Sequence, residues 1–245
     1  FIGEEAYEIF KSPVTKEMWR DAEKQIEKTN TGLYKADKFL FEGTPPELIT
    51  SFVIEQYRYE DKVKPERGDI VFDLGAYIGD TSLWFSKLVG PEGKVYSFEP
   101  EPTNFKRLMG NIQRNDVKNV IPLQLGLSDQ EEEEMVVTSG GGSSTLLKSQ
   151  EGTSVKVTTI DNFLKANDLP SVDFIKMDVE GFESHILTGA KETLKEQSPK
   201  LAVCVYHRGD DLITLPSVIL SANPNYKLYL RHCSPSISET VLYGV

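Results

Sequence analysis

The stretch Asp69-Ile70-Val71-Phe72-Asp73-Leu74-Gly75-Ala76-Tyr77-Ile78-Gly79-Asp80-Thr81 decides the fold. An apolar, partly β-branched run ends in an acid, passes two glycines and enters a helix expected over residues 81–88. That is the pattern of a parallel strand, a tight turn and a helix start. The glycines let the backbone come close to a ligand, and the helix N-terminus offers free N–H groups beside them. Asp73 narrows the choice of ligand. A carboxylate at a strand tip repels pyrophosphate but suits a cation or a pair of hydroxyls. The dinucleotide fingerprint is G-x-G-x-x-G, whereas this turn reads D-x-G-x-x-x-G-D.

Outward from this turn, strands and helices alternate, which predicts an α/β fold with a parallel sheet covered on both faces. Strands are expected over residues 70–74, 94–98, 120–125, 172–178 and 200–206, with helices over 103–114, 160–167, 183–196 and 210–222. Residues 226–231 and 240–245 alternate more loosely and read as a closing antiparallel hairpin. The rhythm breaks over 131–156. There the acidic run Glu131–Glu134 reads as a solvated turn or strand edge, and Gly140-Gly141-Gly142-Ser143-Ser144-Thr145 as too flexible for an element of its own. This segment is expected to be an inserted hairpin or mobile loop. Upstream, residues 1–30 read as helix, with Trp19, Ala22 and Ile26 on one face. Thr44-Pro45-Pro46-Glu47 marks a second helix start with a capping box. The expected organisation is a helical extension over 1–60, acting as a lid or acceptor wall or simply covering the sheet edge, and a main domain over 61–245.

Bulk properties exclude several functions. The 245 residues are ample for a sizeable core, and 27 Lys+Arg against 38 Asp+Glu give a net charge of −11. Such a field repels phosphate backbones and anionic lipid, so neither nucleic acid nor a membrane surface is expected as a main partner. No apolar run is long enough to span a bilayer, and no signal-peptide pattern opens the chain. The start at Phe1 rather than Met is that expected of a chain whose upstream residues were removed. Cys204 and Cys233 read as free thiols in a reducing, cytoplasmic compartment.

In an open parallel sheet, ligands bind outside the carboxyl ends of the strands. The tips here carry Asp73, Glu99, Ser128-Asp129, Asp178-Glu180 and His207. Glu99 lies twenty residues past Gly79, where a carboxylate accepts both ribose hydroxyls of an adenosine; the alternative is an exposed acid before Pro100. Lys176 and Asp178 share one face of a central strand. A buried lysine there needs a partner, which Asp178 or Glu180 could supply. The acid either fixes the turn or orients and deprotonates an acceptor hydroxyl. His207, with an ordinary pKa near 6.5, suits a general base or a positioning group. Asp210 and Asp211 read as helix-start acids rather than metal ligands, and no metal set is assigned.

Taken in order, the blocks 68–81, 93–100 with Asn104, 155–164 and 172–183 resemble the FkbM family of S-adenosylmethionine (SAM) dependent methyltransferases. The most specific piece is Lys176-Met177-Asp178-Val179-Glu180-Gly181-Phe182-Glu183, which is similar to that family's K-x-D-x-E-G-x-E signature. The resemblance covers roughly residues 56–245. It implies a Rossmann-like class I methyltransferase fold with a mostly parallel seven-stranded sheet. It also implies SAM as cofactor and, usually, methylation of a sugar or secondary-metabolite hydroxyl. By position, the cofactor candidates are Asp73, Gly75, Ala76, Tyr77, Gly79, Asp80 and Thr81 in the first block, then Glu99, Pro100, the first-turn Asn104, Ser128 and Asp129. Asp178, Glu180, His207 and Lys176 are the catalytic candidates facing the acceptor. Two rival readings remain. A nicotinamide oxidoreductase explains Glu99 but neither Asp73 nor the missing third glycine. A SAM-binding protein without chemistry leaves the acids at every tip unexplained. A homodimer is compatible with either.

Overall fold

The computed structural model describes residues 14–130, 132–140, 143–147, 153–236 and 238–245, with side chains described outside 131–152. Helix α1 (Lys16–Glu23) opens on Thr15, whose hydroxyl caps the N–H of Met18 at 3.2 Å. Three short antiparallel strands follow: β1 (Glu27–Lys28), β2 (Tyr34–Ala36) and β3 (Phe39–Phe41). The described part of the N-terminal segment is therefore not the continuous helix expected from its spacing. Thr29-Asn30-Thr31-Gly32 turns the chain, with Gly32 at φ +83° and the Thr29 N–H bonded to the Leu33 carbonyl. Helix α2 (Pro45–Leu48) begins as expected at Thr44, whose N–H donates to Glu47 at 2.6 Å, and runs into a π-helical turn over Ile49–Val53.

The central layer contains β4 (Ile70–Leu74), β5 (Lys94–Phe98), β6 (Val120–Leu123), β11 (Phe174–Met177), β12 (Lys200–Cys204), β13 (Leu228–His232) and β14 (Thr240–Gly244). Their order is β6-β5-β4-β11-β12-β14-β13. The first five are parallel; β14 runs antiparallel to both β12 and β13. This is the mostly parallel seven-stranded sheet with a closing hairpin read from the sequence. The chain reverses its direction of travel across the sheet between β4 and β11, and there the loops above the strand ends part to leave a crevice.

Alternation along each strand sends side chains to two cores. On one face Phe72, Leu74, Phe98, Ile175 and Met177 pack against α5 (Ile160–Ala166), α6 (Glu183–Thr188), α7 (Lys191–Glu196) and α8 (Asp211–Ala222). Phe163 of α5 sits edge-on to Phe72 and Phe98, at 5.6 and 4.9 Å between centroids. On the other face Val71, Val95, Phe174 and Ala202 meet Trp84 and Phe85 of α3 (Asp80–Val89) and Leu108 of α4 (Pro102–Arg114). Each fully buried aromatic or aliphatic side chain here is worth about 1.5–3 kcal/mol. The single helix expected over 183–196 breaks into α6 and α7 at Gly189. A Cβ there would lie 2.1 Å from the Ser128 carbonyl oxygen, so the chain turns where β7 (Gly126–Leu127) crosses behind it.

The interruption at 131–156 is a sheet. The backbone of β8 (Glu132–Gly140) pairs antiparallel with β9 (Ser143–Leu147) and with β10 (Thr153–Thr158), which also runs parallel to β7. The stretch expected to be too flexible for an element thus contributes Gly140 to β8 and Ser143, Ser144 and Thr145 to β9. Glu131, Gly141 and Gly142 lie outside the described residues. Both cysteines are free and buried, and no helix among the described residues is long and apolar enough to cross a membrane.

Candidate active site

A cavity of about 610 Å³ opens at the carboxyl ends of β4, β5, β11 and β12. Its position follows from the strand order, and its floor follows from the glycine turn. Gly75 at φ +72° passes so close to the next strand that a Cβ would meet the Asp178 carbonyl oxygen at 1.8 Å. Its N–H and that of Ala76 both donate to the Phe98 carbonyl at 3.0 Å, which ties the turn to the β5 tip. Gly79 (φ +86°) then opens α3, while Tyr77 occupies the left-handed region at φ 48°.

On the β4–β5 side, Gly75, Tyr77, Asp80, Thr81, Glu99 and Asn104 stand on the wall, with Pro100 beside them. Glu99 is buried, and its two oxygens accept from the N–H groups of Tyr77 (2.8 Å) and Glu101 (3.0 Å). Burial pushes its carboxyl up to about 7 against those two hydrogen bonds. Asp80 is buried too; it accepts the Ser51 hydroxyl, and burial likewise pushes it up to about 7. Arg107 stacks over the Tyr77 ring at 5.4 Å. A bidentate carboxylate at the strand tip fits a ribose diol, and acids without a contacting cation fit a positively charged ligand. That is the chemistry this wall offers a ligand.

Several candidates lie elsewhere. Asp73 is fully buried behind the turn and does not line the cavity. It accepts the hydroxyls of Thr81 (2.7 Å) and Ser82 (2.6 Å) and contacts the Lys176 ammonium at 3.1 Å. Asp73 and Lys176 are register partners on adjacent strands, so Asp73, not Asp178 or Glu180, is the lysine's close partner. The ammonium also donates to the carbonyls of Leu74 (3.1 Å) and Gly75 (2.7 Å). Burial disfavours its charge, yet Asp73 and Asp178 keep it firmly protonated. Ala76 and Gly79 shape the turn without reaching the wall. Ser128 and Asp129 are also displaced from it. The chain leaves β6 to join β10 through β7, which puts Leu125, Gly126 and Leu127 over the cavity and Ser128 behind α6.

On the β11–β12 side, Asp178 lies on the wall and accepts hydroxyls from Tyr57 (2.8 Å) and Tyr206 (3.3 Å). His207 stands behind it with Nε2 3.3 Å from Asp178 and 3.7 Å from Glu180, contacts whose geometry is that of ion pairs rather than hydrogen bonds. Its Nδ1 bonds the fully buried Glu183 at 2.7 Å. Burial alone would lower the imidazole, but Asp178 and Glu183 push it up to about 10. That shift favours the imidazolium, which fits the positioning role open to His207 in the sequence better than the general-base one. Burial alone would raise Asp178; the His207 contact, Lys176 and the Tyr57 hydroxyl outweigh it and hold the carboxyl well below its usual range. Glu180, at φ 55°, forms the rim. Asp210 and Asp211 serve the start of α8: Asp211 accepts the Arg208 N–H at 2.7 Å and Asp210 the Thr214 hydroxyl at 3.2 Å.

Sequence reading missed Tyr57, Gln56, Glu239, Trp19 and Thr50 in the lining of this cavity. No local motif marks them. They arrive from the N-terminal segment and from the loop between β13 and β14.

Three comparisons agree with this geometry. A model of the methyltransferase FkbM domain matches residues 73–233. Hexuronic acid methyltransferase AglP of Haloferax volcanii is 30% identical over 148 residues, which are 60% of this chain and 59% of that protein. The chain therefore spans about three-fifths of that relative's length. Among solved structures, methyltransferase FkbM from Methylobacillus flagellatus superposes with a TM-score of 0.59 at 22% identity, covering 93% of this chain and 58% of that one. Precorrin-6y C5,15-methyltransferase from Geobacter metallireducens gives 0.51 at 12%, covering 80% and 87%. At those identities the two structures speak for the fold, which is that of class I methyltransferases. With the family model spanning most of the sheet and both sides of the cavity, the chain belongs to the FkbM methyltransferase family.

Proposed function

We propose that this protein transfers a methyl group from SAM to a hydroxyl oxygen of a small, sugar-type acceptor. The observation that carries the reading is the pairing of two unlike carboxylates across one cavity. Glu99 is held by two N–H groups at the β5 tip, and Asp178 is held ionised by hydroxyls and His207 at the β11 tip. The first suits a ribose diol, the second an acceptor hydroxyl. The sugar acceptor of the Haloferax relative supports the acceptor class.

When bound, SAM supplies a methyl group already activated by its sulfonium. The protein's task is then mostly positioning. The Gly75–Gly79 turn shapes the floor, and Glu99 fixes the adenosine end. Asp178 would accept a hydrogen bond from the acceptor hydroxyl and aim its oxygen at the methyl group. Tyr57, Tyr206 and His207 hold Asp178 ionised and aimed. Trp19 and Thr50, which line the cavity, would make the described part of the N-terminal segment an acceptor wall.

Calorimetric titration with SAM, S-adenosylhomocysteine and NAD⁺ in parallel tests the cofactor. Micromolar binding of the two sulfur nucleotides with NAD⁺ silent is expected. NAD⁺ binding with SAM silent overturns the reading.

A further inference from the structure

The acceptor end of the cavity carries a charge imbalance that methyl transfer itself does not require. Three strand tips stand side by side there. Asp178 follows β11, Tyr206 follows β12, and Glu239 precedes β14, where the Val205 N–H donates to the Thr240 carbonyl at 3.0 Å. Asp178 and Glu239 both line the cavity.

The cations near them are already engaged. Lys176 is the one lysine or arginine among the described lining residues, and it is paired with Asp73 and two carbonyls. His207 sits behind Asp178 with its Nδ1 on Glu183. Lys176 with Asp73 and His207 with Glu183 cancel in pairs, which leaves the ionised Asp178 and the partly ionised Glu239 at this end of the cavity. The repulsion is felt within the wall itself: burial first, then Asp178, pushes Glu239 up to about 7, against a hydrogen bond from Gln56. The remaining polar lining at this end is rich in hydroxyls, from Tyr57, Tyr206, Ser236 and Ser238. Hydroxyls bond a polyol readily, whereas two half-buried acids repel an incoming anion.

We propose that Glu239, together with Asp178, restricts the acceptor to neutral or amine-bearing hydroxyl compounds and rejects carboxylate-bearing ones. Glu239 is then a specificity-determining residue, and this chain differs from its Haloferax relative, named for a hexuronic acid. The proposal rests on the O-methylation reading for its acceptor class.

The test is binding of methyl glucoside, methyl glucosaminide and methyl glucuronide to the full chain saturated with S-adenosylhomocysteine, followed by ligand-observed NMR. The glucuronide should bind at least tenfold more weakly than the other two. Glu239→Gln should narrow that ratio at least threefold, while Glu239→Asp, which keeps the charge, should retain the wild-type order. Equal or tighter binding of the glucuronide, a ratio unmoved in Glu239→Gln, or binding of none of the three overturns the proposal. Labelled SAM separates the two readings: methyl transfer to none of the three, with the binding order intact, defeats O-methylation and leaves the charge selection standing.

Discussion

The two sides of the cavity place carboxylates in a buried wall in opposite ways. On the β4–β5 side, Glu99 and Asp80 are held by N–H and O–H donors with no cation in contact, and burial pushes both up to about 7. On the β11–β12 side, Asp178 and Glu183 bracket an imidazolium, so His207 is pushed up and Asp178 held down. Neutral donors leave an acid responsive to its ligand, because an arriving diol or cation changes its balance substantially. Ion pairing fixes an acid in one state whatever arrives. A cofactor that comes and goes suits the first arrangement. A group that must present the same charge at every turnover suits the second.

The contact between the two sides is where the comparison breaks most severely. Gly75→Ala would set a Cβ against the Asp178 carbonyl at a left-handed position, and a loss of about 2–5 kcal/mol is expected by denaturant unfolding. Gly110, in α4 with open space around it, should tolerate alanine with no loss and a gain of up to about 1 kcal/mol. A Gly75→Ala protein as stable as the Gly110 variant would mean the turn is free to move away from β11.

Separating the sides comes next. Asp178→Asn removes the ionised group and should lower kcat about 10²-fold while SAM affinity stays within about threefold. Full rate with a competent acceptor would show that positioning by other groups suffices. Glu99→Gln should do the reverse. Weakening one charge-assisted pair, at about 1.5–3 kcal/mol, lowers SAM affinity about 10- to 100-fold by calorimetry with a smaller change in kcat.

The smallest effect is a pH signature. His207 holds its proton in the folded state up to about 10, against about 6.5 unfolded. Its contribution is therefore full below pH 6.5 and lost as pH rises toward 10. Asp80, Glu99 and Glu239 run in a lower window: raised to about 7, they stabilise fully below their ordinary values near 4 and lose that contribution as pH climbs to 7. The melting temperature of the ligand-free protein should fall by a few degrees between pH 7 and 10, and His207→Gln should flatten that slope. An unchanged slope would show that the imidazolium pairing is not what titrates.

These same sides differ in how far they could be read from the chain alone. The β4–β5 wall comes from residues 75–104, within one strand–turn–helix–strand unit, so spacing pointed to Glu99 and the family resemblance to Tyr77 and Asp80, all three of which line the cavity. Asp73 was expected among the cofactor-lining residues, and it lies behind the turn instead. Its alternation faces it toward α3, where Thr81 and Ser82, with Lys176 of the neighbouring β11, take up its oxygens.

What the sequence determined by itself was the alternation of strands and helices, the closing hairpin, the strand tips as the ligand-bearing edge and the family to which the chain belongs. The elements depend on hydrophobic period and local turn chemistry, which neighbours along the chain carry, and the family on the resemblance of blocks such as 172–183 to its signature. Only the tertiary structure decided the partners. Lys176 found Asp73 across a strand pair, His207 found Glu183 behind Asp178, β7 carried Ser128 and Asp129 away from the cavity, Tyr57 met Asp178 from 121 positions away, and Glu239 joined the same lining from the loop before β14. Charge pairing and burial act through space, so no window of sequence contains both members of these pairs, and the protonation state of each follows from the partner it meets.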